Sequence, residues 1–303
     1  MPGVDILGIG RSYADVLLVL PYMPRLDDVL YVEQIGYQGG GVIPTAMAAA
    51  ARLGVAAAVW DRVSDDHYGD FIIADYRKYG VIVDWIQVVP GYHSALSHIL
   101  VDRSTGTRSI LPYRGTVPPP TAADFDAELV SLCRVLHTSG SYLDVELKAA
   151  RQAKALGIPV SFDGGAGLAT PERMALVELA DVLVVARQFA QDVTGETELP
   201  ACARALLGYG AELVVITAGG DGSFGWTSGG AACHQPAFAV EVVDTTGAGD
   251  VYHGAFLVGY LRGWPLRTIM AYASATAALK CTRVGGREGI PTHAEVEAFL
   301  AAR

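Results

Sequence analysis

The sequence predicts an α/β protein: a mainly parallel central sheet with helices on both faces, and a small β-sheet set apart from it. Three observations carry that prediction. From Asp65 onward, apolar β-rich runs alternate with helix-length segments, as in Cys133 to Ser139, Val145 to Leu156, Ile158 to Phe162, Pro171 to Leu179 and Asp181 to Val185. Such alternation builds parallel strands with helices packed on either side. Two β-rich stretches, around 28–38 and 94–114, interrupt the pattern and read as a separate layer over a site. Finally, 303 residues with 51% hydrophobic content suffice for a full core, and the whole span 1–303 reads as one domain.

Taken in order, Val4 to Gly10 is a buried strand feeding a glycine turn. Gly8-Ile9-Gly10 opens a dinucleotide fingerprint, but its third glycine falls at Tyr13 and no helix-like segment starts there. Residues Val29 to Tyr37 are β-rich. Gly39-Gly40-Gly41 then leads into an alanine-rich helix, Ala46 to Leu53, stopped by Gly54. A helix near His67 to Lys78 precedes a hairpin, Ala95 to Val101 and Thr107 to Tyr113, around a turn at 102–106. After the alternating middle comes a strand, Ala211 to Ile216, and a glycine-rich turn, Thr217 to Gly222. Apolar helices follow at Val251 to Leu261 and Thr268 to Cys281.

Composition excludes several partners. The formal charge is −10 and only Lys78, Lys148, Lys154 and Lys280 are lysines, which argues against nucleic acid. No uninterrupted apolar run reaches the ~20 residues that a membrane span needs, and the N-terminus has no signal-peptide pattern. Four scattered cysteines, Cys133, Cys202, Cys233 and Cys281, read as free thiols in a reducing compartment. The expected location is the cytoplasm.

The chemistry centres on Val242 to Asp250. The β-formers Ala239, Val240, Val242 and Val243 run into Asp244, then Thr245-Thr246, then Gly247-Ala248-Gly249, and Asp250 opens a helix. A helix start preceded by small residues is an anion cradle, with free N–H groups and a partial positive charge. A carboxylate at that place repels the anion the cradle attracts. The pair makes sense together if Asp250 takes a proton from an alcohol while the cradle steadies a phosphoryl group in transfer. The plain alternative is that Asp244 and Asp250 cap a turn and a helix. No GxxxxGK[ST] occurs, so this is not a Walker-type site.

This stretch, together with Gly39 to Thr45, resembles the two signatures of the PfkB (ribokinase-like) carbohydrate kinases, and the likeness extends along the chain. The resemblance implies a three-layer ribokinase-like sandwich with a β-sheet lid, ATP and Mg²⁺ as cofactors, and a homodimer formed through the lid. It assigns Asp250 as base and Gly247, Ala248 and Gly249 as anion hole. It places the sugar at Asp15, Gly40, Gly41 and Thr45, with Arg11 and Arg114 near the same pocket. Thr217, Gly219, Gly222 and Ser274 fall to the nucleotide. Asp244, Thr246, Lys280, Arg283 and Gly285 fall to a monovalent cation, K⁺.

This chain departs from the pattern at several points. Thr45 stands where most members carry Asn. Ala186 and Phe189 stand where Asn-x-x-Glu organises Mg²⁺, which leaves Asp163 as a substitute. Gly289 stands at a hydroxyl ligand of the cation. The chain looks most like the sulfofructose kinase branch. Its sulfonate-binding positions are here Val29, Pro112 and Gly140, so the acceptor is expected to be a different sugar: fructose-, ribose- or keto-sugar-acid-like. A sugar- or nucleotide-binding regulator on the same scaffold is the alternative reading. His137 and His253 are read as core histidines.

Overall fold

The computed structural model describes residues 3–105, 107–165 and 170–303. The first third of the chain holds β1 (Val4–Ile9), β2 (Tyr13–Leu20), β3 (Gln34–Gly40), α1 (Val42–Arg52), β4 (Ala57–Val63), α2 (His67–Tyr79), β5 (Ile86–Val88), β6 (Leu96–Asp102) and β7 (Arg108–Tyr113). The middle holds β8 (Cys133–Thr138), α3 (Leu143–Leu156), β9 (Val160–Gly164), α4 (Pro171–Val177), β10 (Val182–Ala186), α5 (Arg187–Thr194) and α6 (Leu199–Gly208). The last part holds β11 (Leu213–Thr217), β12 (Ser223–Thr227), β13 (Ala232–Gln235), α7 (Ala248–Leu261), α8 (Leu266–Lys280) and α9 (His293–Ala301).

Among the described residues nine strands form the central sheet, in the order β13-β12-β11-β10-β9-β8-β1-β4-β5. From β11 to β5 every pair is parallel, and only β12 and β13 turn back antiparallel. Side chains alternate between its faces. Ile6, Val135, Val184 and Val215 pack with α1, α2, α7 and α8. Leu7, Leu136, Leu183 and Val214 pack with α3, α4 and α6. The result is three layers, with strand ends converging on one edge.

The second sheet has the order β3-β2-β6-β7 and stands over that edge. A fully buried Arg287 ties it down. Its guanidinium pairs with Asp75 of α2 at 2.6 Å, donates to the Gly40 carbonyl at 3.2 Å and to Thr45 Oγ1 at 3.3 Å, and lies over the Tyr76 ring. An arginine is tolerated at such depth because its charge is paired and several of its N–H groups are bonded.

Four expectations are corrected. Asp15, expected with the turn after Val4–Gly10, lies inside a strand, because Tyr13–Leu20 forms the centre of the small sheet, paired to both β3 and β6. Residues 28–33 are irregular and the strand expected over 28–38 runs Gln34–Gly40, so Gly39 and Gly40 end a strand. The β-formers Ala239 to Val243 make no strand. Pro236 cannot continue the ladder after Gln235, and the N–H groups of Val243 and Asp244 both turn to the Cys281 carbonyl at the end of α8. The motif helix starts at Ala248, so Asp250 lies inside its first turn. Gly106 of the hairpin turn lies outside the described residues.

Candidate active site

Two cavities meet at the turn before α7. One, of about 430 Å³, lies between the small sheet and the strand ends, and Asp15, Gln38, Ser97, Arg108, Asp163 and Asp250 are among its walls. The other, of about 570 Å³, lies between the β11 turn, the 237–242 stretch and α8. Thr217, Thr245, Ala248 and Gly249 line both, so the turn is the shared wall.

That wall is built by local backbone chemistry. Gly247 adopts φ 70°, which only glycine takes without strain, and a Cβ there would lie 2.9 Å from Gly286. Asp244 holds the turn from behind. Its Oδ1 accepts the Thr246 N–H at 2.8 Å and the Thr246 hydroxyl at 2.7 Å, and its Oδ2 accepts the Gly285 N–H at 2.8 Å. The Ala248 N–H is used internally, donating to the Thr245 carbonyl at 3.2 Å. Among the described residues no acceptor meets the N–H groups of Gly247, Gly249 and Asp250. The free donors therefore include the Asp250 amide and leave out that of Ala248, a shift of one from the expected trio.

Asp250, half-buried, faces the first cavity, and among the described residues no donor bonds its carboxylate. Desolvation, then the nearby Asp163 charge, pushes its pKa up to about 8, against the pull of Arg287 and Lys280. Burial likewise pushes Asp15 and Asp163 up to about 7. Three carboxyls thus share a low-dielectric cavity, and burial makes each resist ionising.

Several buried polar atoms on this cavity have no well-aligned hydrogen bond: Gln38 Nε2, Ser97 Oγ, both oxygens of Asp163 and Nδ1 of His253. Buried polar atoms are rarely left so, and here they cluster where a polar ligand would supply partners. Asp163 Oδ2 lies 3.4 Å from His253 Nε2, and the ligand atoms of His137, Asp163 and His253 fall within 4.8 Å of one another. Burial lowers the pKa of both histidines, so they are neutral. A hard, oxygen-seeking cation such as Mg²⁺ fits the orphaned carboxylate of Asp163. Ala186 has no donor side chain, and Phe189 is core, packed on Phe162 at 5.8 Å between centroids.

Of the residues expected at the sugar, Asp15, Gly40, Gly41 and Thr45 come together on the first cavity, and the Thr45 hydroxyl accepts from Arg287. Arg11 and Arg114 do not reach it. Arg11 stacks over the Tyr142 ring at 5.2 Å, and Arg114 is exposed beyond the end of β7. The arginine the fold delivers instead is Arg108 of β7, whose Nη1 donates to Thr245 Oγ1 at 2.8 Å. Its position opposite Leu96 to Val101 in the hairpin was a readable signal. The links from Gln38 and Arg287 to the cavity depend on tertiary packing and had no local one. Thr217, Gly219, Gly222 and Ser274 all line the second cavity.

The residues expected to hold K⁺ are gathered behind the turn, but they bind one another. The ammonium of Lys280, fully buried, donates to the Asp244 carbonyl at 2.8 Å, and the Lys280 carbonyl accepts the Arg283 N–H at 3.3 Å. Thr246 and Gly285 both donate to Asp244, as above. The arrangement does not fit a free monovalent cation.

Comparison with known proteins gives a consistent picture. The profile described as pfkB family carbohydrate kinase matches residues 11–293. The chain is 29% identical over 301 residues to an ATP-dependent ribose-1-phosphate kinase of Halopiger xanaduensis, covering 99% of each. It is 28% identical over 322 residues to a 5-dehydro-2-deoxygluconokinase of Bacillus subtilis, covering 99% of this chain and 96% of that one. Arabidopsis thaliana ribokinase, solved with ribose and ATP, shares the fold at a TM-score of 0.86 and 24% identity, over 98% of this chain and 99% of that one.

Proposed function

Because the chain belongs to the pfkB family of carbohydrate kinases, we propose that it transfers the γ-phosphate of MgATP to a hydroxymethyl group of a small carbohydrate. The observation that carries this reading is the place of Asp250: in the first cavity, next to the wall that it shares with a second, larger one, beside free backbone N–H groups. The acceptor sits in the cavity beneath the small sheet, where Asp15, Gln38 and Ser97 meet its hydroxyls. ATP sits in the cavity against α8, with its phosphate tail at the turn.

Asp250, once ionised, takes the proton of the attacking hydroxyl. The N–H groups of Gly247, Gly249 and Asp250 meet the charge that spreads over the transferred oxygens, already oriented before the reaction starts. Asp163 faces the metal, which when bound neutralises phosphate charge. A fructose-, ribose- or keto-sugar-acid-like acceptor fits this wall of carboxyls and amides. Arg108 offers a cation to an acidic group on that acceptor. A binding-only regulator is not favoured, since the relatives are named as kinases.

In the same reading the enzyme works in the cytoplasm with its four thiols free and pairs as a homodimer through the small sheet. Ile35, Tyr37, Leu111 and Tyr113 are at least half exposed on the outer side of that sheet, an apolar face of the kind that marks association. Among the described residues no helix is long and apolar enough to cross a membrane. The test is ADP release from MgATP across a panel of ketoses, pentoses, sugar acids and sugar phosphates. Release that depends on one class supports the proposal; binding of sugars without any release rejects it.

A further inference from the structure

We infer that the buried ammonium of Lys280 stands in for an activating monovalent cation behind the anion cradle, so that turnover needs no K⁺. The inference deepens the kinase reading and rests on it.

The geometry supplies the reasons. Lys280 closes α8 and is fully shielded from solvent, yet its side chain turns to the carbonyl of Asp244, the residue that holds the catalytic turn. Both oxygens of the Asp244 carboxylate are already taken, three protein donors in all, two of them from Thr246 and one from Gly285. Three of the roughly four acceptor sites of that carboxylate are thereby filled, so a cation arriving there would find little acceptor capacity left. The loop also closes on itself at Gly289, where even a Cβ would lie 2.3 Å from the Lys280 carbonyl, so no side chain can reach in as a ligand.

A second positive charge next to a buried ammonium would face repulsion in a medium that screens it poorly. The lysine meanwhile supplies what a cation would: a fixed positive charge against Asp244, on the far side of the turn from the phosphates. Its field reaches Asp250 as well. Lys280 acts through Asp244 and touches no substrate in this account, so it is a positioning residue.

The test compares the full-length enzyme in KCl with the enzyme in tetramethylammonium chloride, an ion too large for a carbonyl cage. Two quantities are read: MgADP affinity by calorimetry, and ADP release with the best acceptor of the panel. Wild type should differ by less than about twofold between the salts. Lys280→Ala, which opens space, should lose roughly tenfold or more in both quantities in tetramethylammonium. Adding K⁺, ammonium or methylammonium should then recover part of that loss.

Stimulation of wild type by K⁺ of roughly tenfold or more would overturn the inference. So would a folded Lys280→Ala that none of the small cations restores. If that variant fails to fold, the wild-type salt comparison still decides. If no acceptor releases ADP, the kinase reading has failed, and the MgADP affinities of wild type and variant decide the cation question alone.

Discussion

The two cavities that share the turn at Thr245 to Gly249 differ in the carboxyls and buried polar groups on their walls. Beneath the small sheet stand Asp15, Gln38, Ser97, Asp163 and Asp250, mostly buried and several with a polar atom left without a well-aligned hydrogen bond. Against α8 the wall is Val240, Val242, Ala277 and Ala278, with Ser274 one of its few polar groups. The first cavity can move protons and discriminate hydroxyls. The second can do neither, and offers shape and apolar contact suited to a flat base. Selectivity and acid–base chemistry should therefore be broken from one side, and nucleotide affinity from the other.

The largest effect belongs to Asp250. Asp250→Asn keeps the shape but removes the base, and turnover should fall on the order of 10²–10⁴-fold. MgADP affinity, measured by calorimetry, should stay within about twofold, since the second cavity is untouched. A parallel loss of nucleotide binding would show that the two sides are not separable. The mirror experiment is Ala278→Phe, which fills the second cavity. The KM for ATP should rise roughly tenfold or more, while kcat at saturating ATP changes little. A fall in kcat alone would place Ala278 on the wrong side of the division.

Next in size is the response to pH. Asp250 with a pKa near 8 is largely protonated at neutrality, so kcat/KM should rise with pH and level off above that value. Part of the elevation comes from the Asp163 charge, hence Asp163→Asn should move the rising limb to lower pH, even where the maximal rate also falls. An unmoved limb would mean the two carboxyls do not sense each other. Stability carries the same signature with the opposite trend. Asp15 and Asp163 near 7 and Asp250 near 8 hold protons in the folded state that an unfolded chain has already released. The folded state thus binds more protons between about pH 4 and 8, and the contribution of these groups to stability falls as pH rises through that window. The ligand-free melting temperature across the window measures it, and Asp163→Asn should flatten the slope.

What the sequence discloses follows the same line. The alternation of strands and helices, the cradle at Gly247 to Gly249 and the glycine turn at Thr217 to Gly222 are local patterns, each legible because a few neighbouring residues determine it. Asp250 could be singled out because an acid in an anion cradle is a local contradiction. The small sheet was only half visible. Asp15 reads as part of the turn after β1, and nothing in the residues of Tyr13–Leu20 says that they form a strand of their own, paired with one some eighty residues away. The arginines were misjudged for a like reason. Arg11 lies near Asp15 in sequence but is drawn off by Tyr142, whereas Arg108 arrives from the far strand of the hairpin. The side-chain role of Lys280 is not legible in sequence, because which way a long side chain turns at a helix end is decided by what the loop behind it leaves open.

The smallest predicted effect tests whether the two sides communicate. Arg108 on the small sheet donates to Thr245 Oγ1 on the shared wall, a single side-chain bond between exposed residues. Such a bond contributes about 0.5–1.5 kcal/mol, equivalent to roughly two- to tenfold in rate or affinity. Arg108→Ala should raise the acceptor KM a few-fold by loosening the sheet over the cavity, and leave MgADP affinity unchanged. Thr245→Val should give the same loss. If the bond is the shared cause, the double variant should lose no more than either single one, because the interaction can be removed only once. Additive losses would mean that each residue meets the ligand separately. In that case Arg108 is a specificity contact for the acceptor.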